Sequence, residues 1–552
     1  MDERIIVTLD GVKLACVPGT PVCQLIAEHM PERLADVLAV RVGDSVKGLR
    51  WQPGKSCAGA LLTYVDEEAR RMYERSARFL FLLAVRETLP GARVRFEHSV
   101  GYGLYIALTG AGTLHGGVAR RLEACMRRIA EADEPLVRTR WTREEAMAYF
   151  AREGQDDKLR LLHYRPHAHF DVYTCRGMSE YFYGEMLPST GYVRGFSLQF
   201  YLPGLVLQLP SPARPQVPAA FEEHPKLLRT YAESARWAAI LRCSNVADLN
   251  DLMARGQLRT FVRVNEALHE KAIADMADQI AERGARTILI AGPSSSGKTT
   301  FTHRLATQLR VLGLEPVAIS LDNYYRNRDE VPLDEHGQPD LECLESLDVP
   351  LFNEQLVRIL QGEEVEVPRF SFKTARRKEH GEPLRVRRDQ PILIEGIHGL
   401  NHRLTEAVPS DIKFKIYISA LTQLNLDDHN RIRTTDVRLL RRLVRDRLFR
   451  NADVARTMGM WDSVRAGEEK YIFPFQEQAD VMFNSSLLYE LPILKQYAYP
   501  MLCQVEEDSP WYVRSRRLVK FLSYFLASDV EDEIPPTSIL REFIGGCTFY
   551  KE

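Results

Sequence analysis

The sequence predicts an α/β protein in which a phosphate-loop domain on a parallel sheet follows two α+β modules. Three observations predict it. From residue 287 onward, short apolar runs alternate with helical patterns, as parallel strands joined by helices do. The first of those runs feeds into Gly292-Pro-Ser-Ser-Ser-Gly297-Lys298-Thr299, a glycine-bounded turn that opens a helix. Before residue 210, strands and helices mix with tight turns in two blocks, and a chain of 552 residues is too long for one hydrophobic core.

Residues 1–65 hold the first block: IIVTLDG and KLACVPG read as two strands with turns, PVCQLIAEHM as a helix, and AVRVGDSV as a further strand pair. Residues 66–210 hold the second. It begins with the helical pattern DEEARRMYERSARFLFLLAVRETLP, stopped by Pro90-Gly91, and continues with the strands ARVRFEHSV and YGLYIAL. After residue 156 the pattern is mostly strand and loop: KLRLLHYR, HFDVYTC, YVRGFSLQFYL and LVLQLP. PSPARPQVP, residues 210–218, carries four prolines in nine residues and reads as a linker. Residues 222–283 are helical, so 211–283 form a linker and helical segment. The α/β domain takes 284–552, with strands at TILIAG, PVAISLD, QPILIEG, FKIYIS and DVMFNS. No internal repeat is visible.

Composition excludes several classes. Hydrophobic residues make up 45%, charged residues 27%, and the net charge is −2, which argues against a dedicated nucleic-acid or membrane-surface protein. No apolar run approaches the ~18 residues of a membrane span. The start, MDERIIVTLDG, places charge where an export signal places its apolar stretch. Nine cysteines between Cys16 and Cys547, without a Cys-x-x-Cys pair, fit reduced thiols, and a cytoplasmic protein is expected.

The glycine turn fits G-x-x-x-x-G-K-[ST], and the chemistry needs those residue types. Glycines let the backbone curl so that successive N–H groups point into one concavity. The following helix adds its positive end, and Lys298 adds a full charge at the β/γ-phosphates. Gly292, Ser294, Ser295, Ser296, Gly297, Lys298, Thr299 and Thr300 are therefore the expected nucleotide cradle, with the Thr299 hydroxyl placed for Mg²⁺. Ligands of open parallel sheets sit beyond the carboxyl ends of the strands. Two acids occupy such ends: Asp322 after PVAISL and Glu395 after PILI. Glu395 is the better magnesium candidate, and Asp322 the better acceptor for a proton from a hydroxyl attacking the γ-phosphorus.

SLDNYYR (320–326), the glycine turn, GEEVEVPRFSF (362–372), LIEGIHGL (393–400) and DVRLLRRLVRDRLFR (436–450) resemble, in this order, the uridine kinase and phosphoribulokinase family. The resemblance spans 287 to roughly 485 and implies a P-loop kinase domain. It implies that Asp322 is the catalytic base and that Glu395 lies near magnesium. Eight arginines fall between 431 and 450. On a helix, Arg438, Arg441, Arg442 and Arg445 share an arc of about 100°, opposite Leu439, Leu440, Leu443 and Val444. With only Asp436 and Asp446 nearby in sequence, that face reads as uncompensated and suited to polyphosphate. The resemblance implies a lid helix, with Arg442 touching the acceptor and Arg445 and Arg450 the phosphates; a further family arginine falls on Ala452. RNA binding is the rival reading of this face.

The acceptor side departs from the family. Its tyrosine and histidine positions fall on the Pro368-Arg-Phe370-Ser-Phe372 stretch and on Ala375, so both polar groups are replaced. The family's Asp-His-Pro-Asp segment is Glu342-Cys-Leu-Glu345 here, with Asp348 beyond, and Glu345 is the expected ribose-binding acid. Tyr325, Glu345, Phe370 and Arg442 form the expected acceptor set, with Asp322, Lys298 and Arg445 as the catalytic set.

Residues 1–65 resemble the TGS module of threonyl-tRNA synthetases, and 66–210 the editing domain that follows it there, best in YTCRGMSEYFYGEMLPSTGY (173–192) and RSARFLFLLAVRETLP (75–90). The synthetase's three histidines and cysteine fall on Arg75, Phe79, Ser179 and Cys175, so no editing activity is expected. His163, His167 and His169 share one face if their segment is extended, but read as satisfied or exposed rather than metal-binding. The sequence therefore implies an ATP- and Mg²⁺-dependent kinase for a nucleoside hydroxyl, uridine first. Alternatives are a kinase for another small sugar-containing acceptor and an RNA- or tRNA-binding regulator switched by nucleotide. RNA contact through the N-terminal half and homo-oligomer formation are left open as partners, and no membrane is implied.

Overall fold

The computed structural model describes residues 4–43, 45–165, 167–334, 337–371 and 374–549. In the first module, alternation along β1 (Ile5–Leu9) buries Ile5, Val7 and Leu9 on one face. The helix α1 (Val22–His29) lays Val22, Leu25 and Ile26 on that face. β1 pairs antiparallel with β2 (Val12–Cys16), and β3 (Val37–Val42), β4 (Ser45–Gly48) and β5 (Cys57–Thr63) complete a sheet of order β2-β1-β5-β3-β4.

The second module is organised by α2 (Glu67–Thr88), buried on every side from Ser76 to Val85. A helix apolar all round must lie between layers. Here it packs against β3, β5 and α3 (Gly116–Glu131) and shares a core with β6 (Arg93–Val100) and β7 (Gly103–Thr109). β8 (Val137–Thr142), α4 (Arg143–Arg152), α5 (Asp156–His163), β9 (His169–Cys175), β10 (Met178–Glu180), β11 (Ser197–Tyr201) and β12 (Gly204–Gln208) follow, in sheets ordered β11-β12-β7-β6 and β10-β9-β8.

Two sequence expectations are corrected in this half. KLRLLHYR is not a strand: α5 covers most of it, burying Lys158, Leu161 and Leu162 at helical spacing behind Asp156 and Asp157 in the first turn. His163 therefore ends a helix and His169 starts a strand, so the three histidines share no extended face; all three are exposed. PSPARPQVP is not a free linker either. Pro210–Ser211 (β13) and Arg214–Pro218 (β14) form a hairpin, tied to the first module by the Tyr64 hydroxyl donating to the Pro210 carbonyl at 2.9 Å. Proline fits such a two-stranded edge because few of its positions require a donating N–H.

The helices α6 (Pro225–Ile240), α7 (Val246–Ala254) and α8 (Leu258–Arg283) lead into the C-terminal α/β unit. Its first elements are β15 (Thr287–Ala291), α9 (Lys298–Val311), β16 (Val317–Ser320) and α10 (Val349–Gln361). Short pairs β17 (Glu364–Val367) with β20 (Glu382–Arg385) and β18 (Phe370–Ser371) with β19 (Arg376–Arg377) precede β21 (Ile392–Glu395) and β22 (Lys413–Ser419). After the pair β23 (Asn425–Asp427) and β24 (Asn430–Arg431) come α11 (Thr434–Phe449), α12 (Val454–Tyr471), β25 (Val481–Asn484), α13 (Glu490–Cys503), α14 (Tyr512–Leu522) and α15 (Arg541–Ile544).

Strands β16-β21-β15-β22-β25 form one parallel sheet. Every residue of β15 and β21 is buried, as expected for strands covered on both faces. Elements before β15 and after α13 build much of that cover. Phe261, Val262, Ile273 and Ile280 of α8, Leu518 of α14, and Leu540 and Phe543 share one core with Ile288, Ile290 and Phe301. No helix among the described residues is long and apolar enough to cross a membrane.

An ion cluster joins the two halves. Asp436 on α11 receives Arg71 of α2 at 3.0 Å and Arg517 of α14 at 2.6 Å, while Glu67 of α2 takes Arg71 at 2.6 Å and Arg514 at 3.1 Å. The Arg71 guanidinium, aided by Arg517 and Arg514, pulls the Glu67 carboxyl down to about 2. Despite its burial, Asp436 is held further below the usual range by Arg517 and Arg71. Depressed carboxyls stabilise above their unfolded values and lose that contribution as pH falls through the folded ones. The melting temperature should therefore fall as pH drops below about 4.5 toward 2. Asp436→Asn should flatten that slope while lowering stability at neutral pH, a comparison calorimetry across pH would decide.

Candidate active site

The glycine turn leaves the carboxyl end of β15, the central strand, with two strands on either side. Gly292 crosses close to β22: a β-carbon there would overlap the Ile418 carbonyl oxygen. Gly297 begins α9 with φ +85°, a left-handed conformation that glycine adopts without strain. Ser295 also has positive φ, at 59°, and its carbonyl accepts from Arg441 at 3.3 Å. The Lys298 ammonium lies over the turn, donating to the carbonyls of Gly292 at 3.0 Å and Pro293 at 3.3 Å. Thr299, half-buried, follows on α9. The buried Ser295 and Ser296 hydroxyls have no hydrogen-bond partner among the described residues. Buried polar atoms rarely stay unpaired, so this concavity is shaped for an anion or water.

Pairing across the sheet brings the two acids to this turn. Glu395 of β21 lies level with Ile290 of β15 and Ser320 of β16, and accepts the Ser320 hydroxyl at 2.8 Å. β16 stops at Ser320, and Asp322 lies on a single 3₁₀ turn, Leu321–Tyr324. Burial raises the Asp322 carboxyl, opposed by the charges of Lys298, Arg450 and Arg445. Burial and the Asp322 charge push Glu395 up to about 7, against Lys298. Two enclosed carboxyls beside one lysine want a further cation. Residues present thus fit a divalent ion bound with nucleotide phosphates. Among the described residues no group of three or more His, Cys, Asp or Glu could hold a metal, so phosphate and water would supply the remaining oxygens.

The arginine helix differs from the sequence expectation. Arg438 and Arg441 on α11 are 1% and 0% exposed, and both are compensated. Arg438 pairs with Glu468 of α12 and donates to the Ser294 carbonyl at 3.0 Å; Arg441 pairs with Glu490 of α13 at 2.6 Å. Glu468 also accepts the Ser294 N–H at 3.0 Å. Their partners lie 30 and 49 residues away in sequence, out of sight of any helical-face count. These two arginines are held by acids of other helices and by the Ser294 and Ser295 carbonyls of the turn. Arg442 donates to the Ser294 hydroxyl at 3.0 Å and pairs with Asp446 at 3.3 Å. Arg445 lies 3.5 Å from Asp446 and 4.0 Å from Glu542, and Arg450, 57% exposed, 3.4 Å from Asp446. The neighbouring Arg445 charge lowers the Arg450 guanidinium to about 10.

On the acceptor side Tyr325 and Phe370 meet with ring centroids 5.6 Å apart, while Phe372 lies outside the described residues. Burial raises the Tyr325 hydroxyl, with the charges of Asp322 and Glu342 adding to it. Glu345, expected as the sugar-binding acid, is exposed and pairs with Arg403 at 2.9 Å. Glu342, half-buried, is within electrostatic reach of the turn: burial and the Glu468 charge push it up to about 7, opposed by Arg442 and Lys298. Glu345 is the middle residue of a tight 3₁₀ turn, Leu344–Ser346, and its side chain is exposed. The sequence offered both acids three residues apart and no basis for choosing. It offered nothing for Glu542, whose carboxylate accepts from Thr300 N–H at 3.3 Å and from its hydroxyl at 2.8 Å.

In the second module, Arg75 donates to the Glu185 carbonyl at 2.8 Å, Phe79 is buried against Phe182, and Ser179 pairs with Thr174 at 2.7 Å. Burial, with the Glu134 charge, pushes the Cys175 thiol up to about 11, so it is no ready nucleophile.

Residues 287–488 match the model of the phosphoribulokinase/uridine kinase family. The uridine kinase of Lactobacillus helveticus is 27% identical over 194 residues, 35% of this chain and 83% of that one. The N-terminal region is similar to threonine–tRNA ligases; that of Symbiobacterium thermophilum is 30% identical over 200 residues, 36% of this chain. The chain spans about a third of the length of that ligase, 31%. Among solved structures, a possible uridine kinase from Bacillus stearothermophilus is 18% identical, with 36% of this chain and 88% of that chain covered and a TM-score of 0.26.

Proposed function

We propose that the C-terminal unit is an ATP-dependent kinase that phosphorylates a hydroxyl of a nucleoside, uridine or cytidine first. One observation carries the reading: Asp322 stands at the carboxyl ends of the strands beside the glycine turn, within electrostatic reach of Lys298, Arg445 and Arg450. The turn from Gly292 to Thr300 would hold the phosphates through its N–H groups, and Lys298 would leave its carbonyl partners for them. Thr299 and Glu395 would hold Mg²⁺, which neutralises phosphate charge. Asp322 takes the proton from the acceptor hydroxyl as its oxygen bonds the γ-phosphorus, and the bond from that phosphorus to the β-phosphate oxygen breaks, leaving ADP. Arg445 and Arg450 face the transferred group, with Arg442 placed between the turn and Glu342. Tyr325, Phe370 and Glu342 form the acceptor wall.

Initial rates of ADP formation with each nucleoside, and with sugars and sugar phosphates, test this directly. No acceptor-dependent ADP from any of them, alongside salt-sensitive RNA binding, would favour the regulator instead. The two acids give a sharper expectation. Glu342→Gln should raise acceptor KM by about tenfold or more, since a site built to bond an acceptor hydroxyl loses much when that partner is removed. Glu345→Gln should leave KM and kcat within about twofold, as expected for an exposed pair. The reverse pattern would move the acceptor site outward.

A further inference from the structure

We infer that the Glu542 carboxylate occupies a phosphate position of the nucleotide cradle, so that a nucleotide seats only as Glu542 turns away. The inference rests on the kinase reading above and concerns the regulation of that site. α9 starts at a glycine and so has no side-chain cap of its own. The first N–H groups of a helix lack internal partners, and they are the groups a glycine turn offers to phosphate. Here one of them, Thr300 N–H, is held by Glu542 at 3.3 Å, with the Thr300 hydroxyl at 2.8 Å. The same carboxylate lies 4.0 Å from Arg445. A single anion thus sits on a helix start and faces an arginine, as a bound phosphate oxygen does.

Its chain segment is built around this contact. Ile539 packs so closely on Gly297 that a β-carbon there would overlap it. Further on, Phe549 stacks on His303 of α9, with ring centroids 5.2 Å apart and planes 12° apart. Leu540 and Phe543 are fully buried in the core, and the Ser538 hydroxyl donates to Glu266 at 2.6 Å. The segment is therefore anchored on both sides of Glu542. Release requires only that one side chain, on a four-residue helix, swing off Thr300 and Arg445. Incoming phosphates bring negative charge to the same place, and the carboxylate opposes them until it leaves. Residues Glu531 to Phe549 lie outside the stretch matched to the family, which ends at 488, so this contact is an addition to the matched unit.

Binding of MgADP to the full chain, followed by calorimetry for wild type, Glu542→Gln, Glu542→Ala and Lys298→Ala, tests the inference. Both Glu542 variants should bind about tenfold more tightly than wild type, the difference shrinking as salt rises, and Lys298→Ala more weakly. Unchanged or weaker binding in Glu542→Gln would overturn the inference while leaving the kinase reading intact. If folded wild type and both Glu542 variants bind no MgADP, the kinase reading fails and this inference with it. Circular dichroism establishes folding, and if the alanine variant misfolds, the affinity of the shape-conserving glutamine variant alone decides between these outcomes.

Discussion

Asp322→Asn should lower kcat for acceptor phosphorylation by at least about a hundredfold and as much as ten-thousandfold, with nucleotide binding retained. In barrier terms that is about 3–5 kcal/mol. Asparagine keeps the shape but cannot take a proton. The expectation is large because burial raises this carboxyl, against the charges of Lys298, Arg450 and Arg445, and a raised carboxylate is a stronger proton acceptor. Removing its charge leaves the glycine turn and Lys298 untouched, so MgADP should bind as well as before, or better, with one fewer negative charge near the phosphates. Rates of ADP formation and a binding isotherm on the same preparation separate the two effects. A variant retaining more than about a tenth of the wild-type rate would mean that proton transfer uses another group, since general bases contribute more than that.

Glu468→Gln should cost about 3–5 kcal/mol of stability, the usual penalty for leaving a buried charge unpaired. Glu468 is fully buried, pairs with Arg438, takes Arg465 at 2.8 Å and accepts the Ser294 N–H. Arg438 would then lie in the interior with no carboxylate. The expected damage reaches the cradle, because both residues hold Ser294, one through its N–H and one through its carbonyl. Urea unfolding should show the loss, and the double variant Arg438→Met/Glu468→Leu should recover most of it, since removing both charges spares the interior an orphan. A single-variant loss below about 1 kcal/mol would place this pair with ordinary surface bridges.

Much of this site could be read from the sequence where the signal was local. The expected cradle is one unbroken run of residues, and the strand acids follow from period and position. Secondary structure failed locally for a physical reason at KLRLLHYR, where helix and strand patterns both place Leu161 inward and only the neighbouring Asp156 and Asp157 tip the balance. Long-range compensation was invisible. Arg438 and Arg441 read as an exposed, unpaired face because Glu468 and Glu490 reach them from other helices. Glu342 is half-buried and Glu345, on the 3₁₀ turn that follows, is exposed, a difference that residue type does not carry.

The parallel sheet is walled on its outer side by chain that precedes it, from 258 to 283, and by chain that follows, through Phe543 and Ile544. During synthesis the early modules can close while the remainder is still being made. The α/β half cannot: its strands wait with one flank bare until the segment through residue 544 has been made. The cover of this sheet is complete only once α15 is in place.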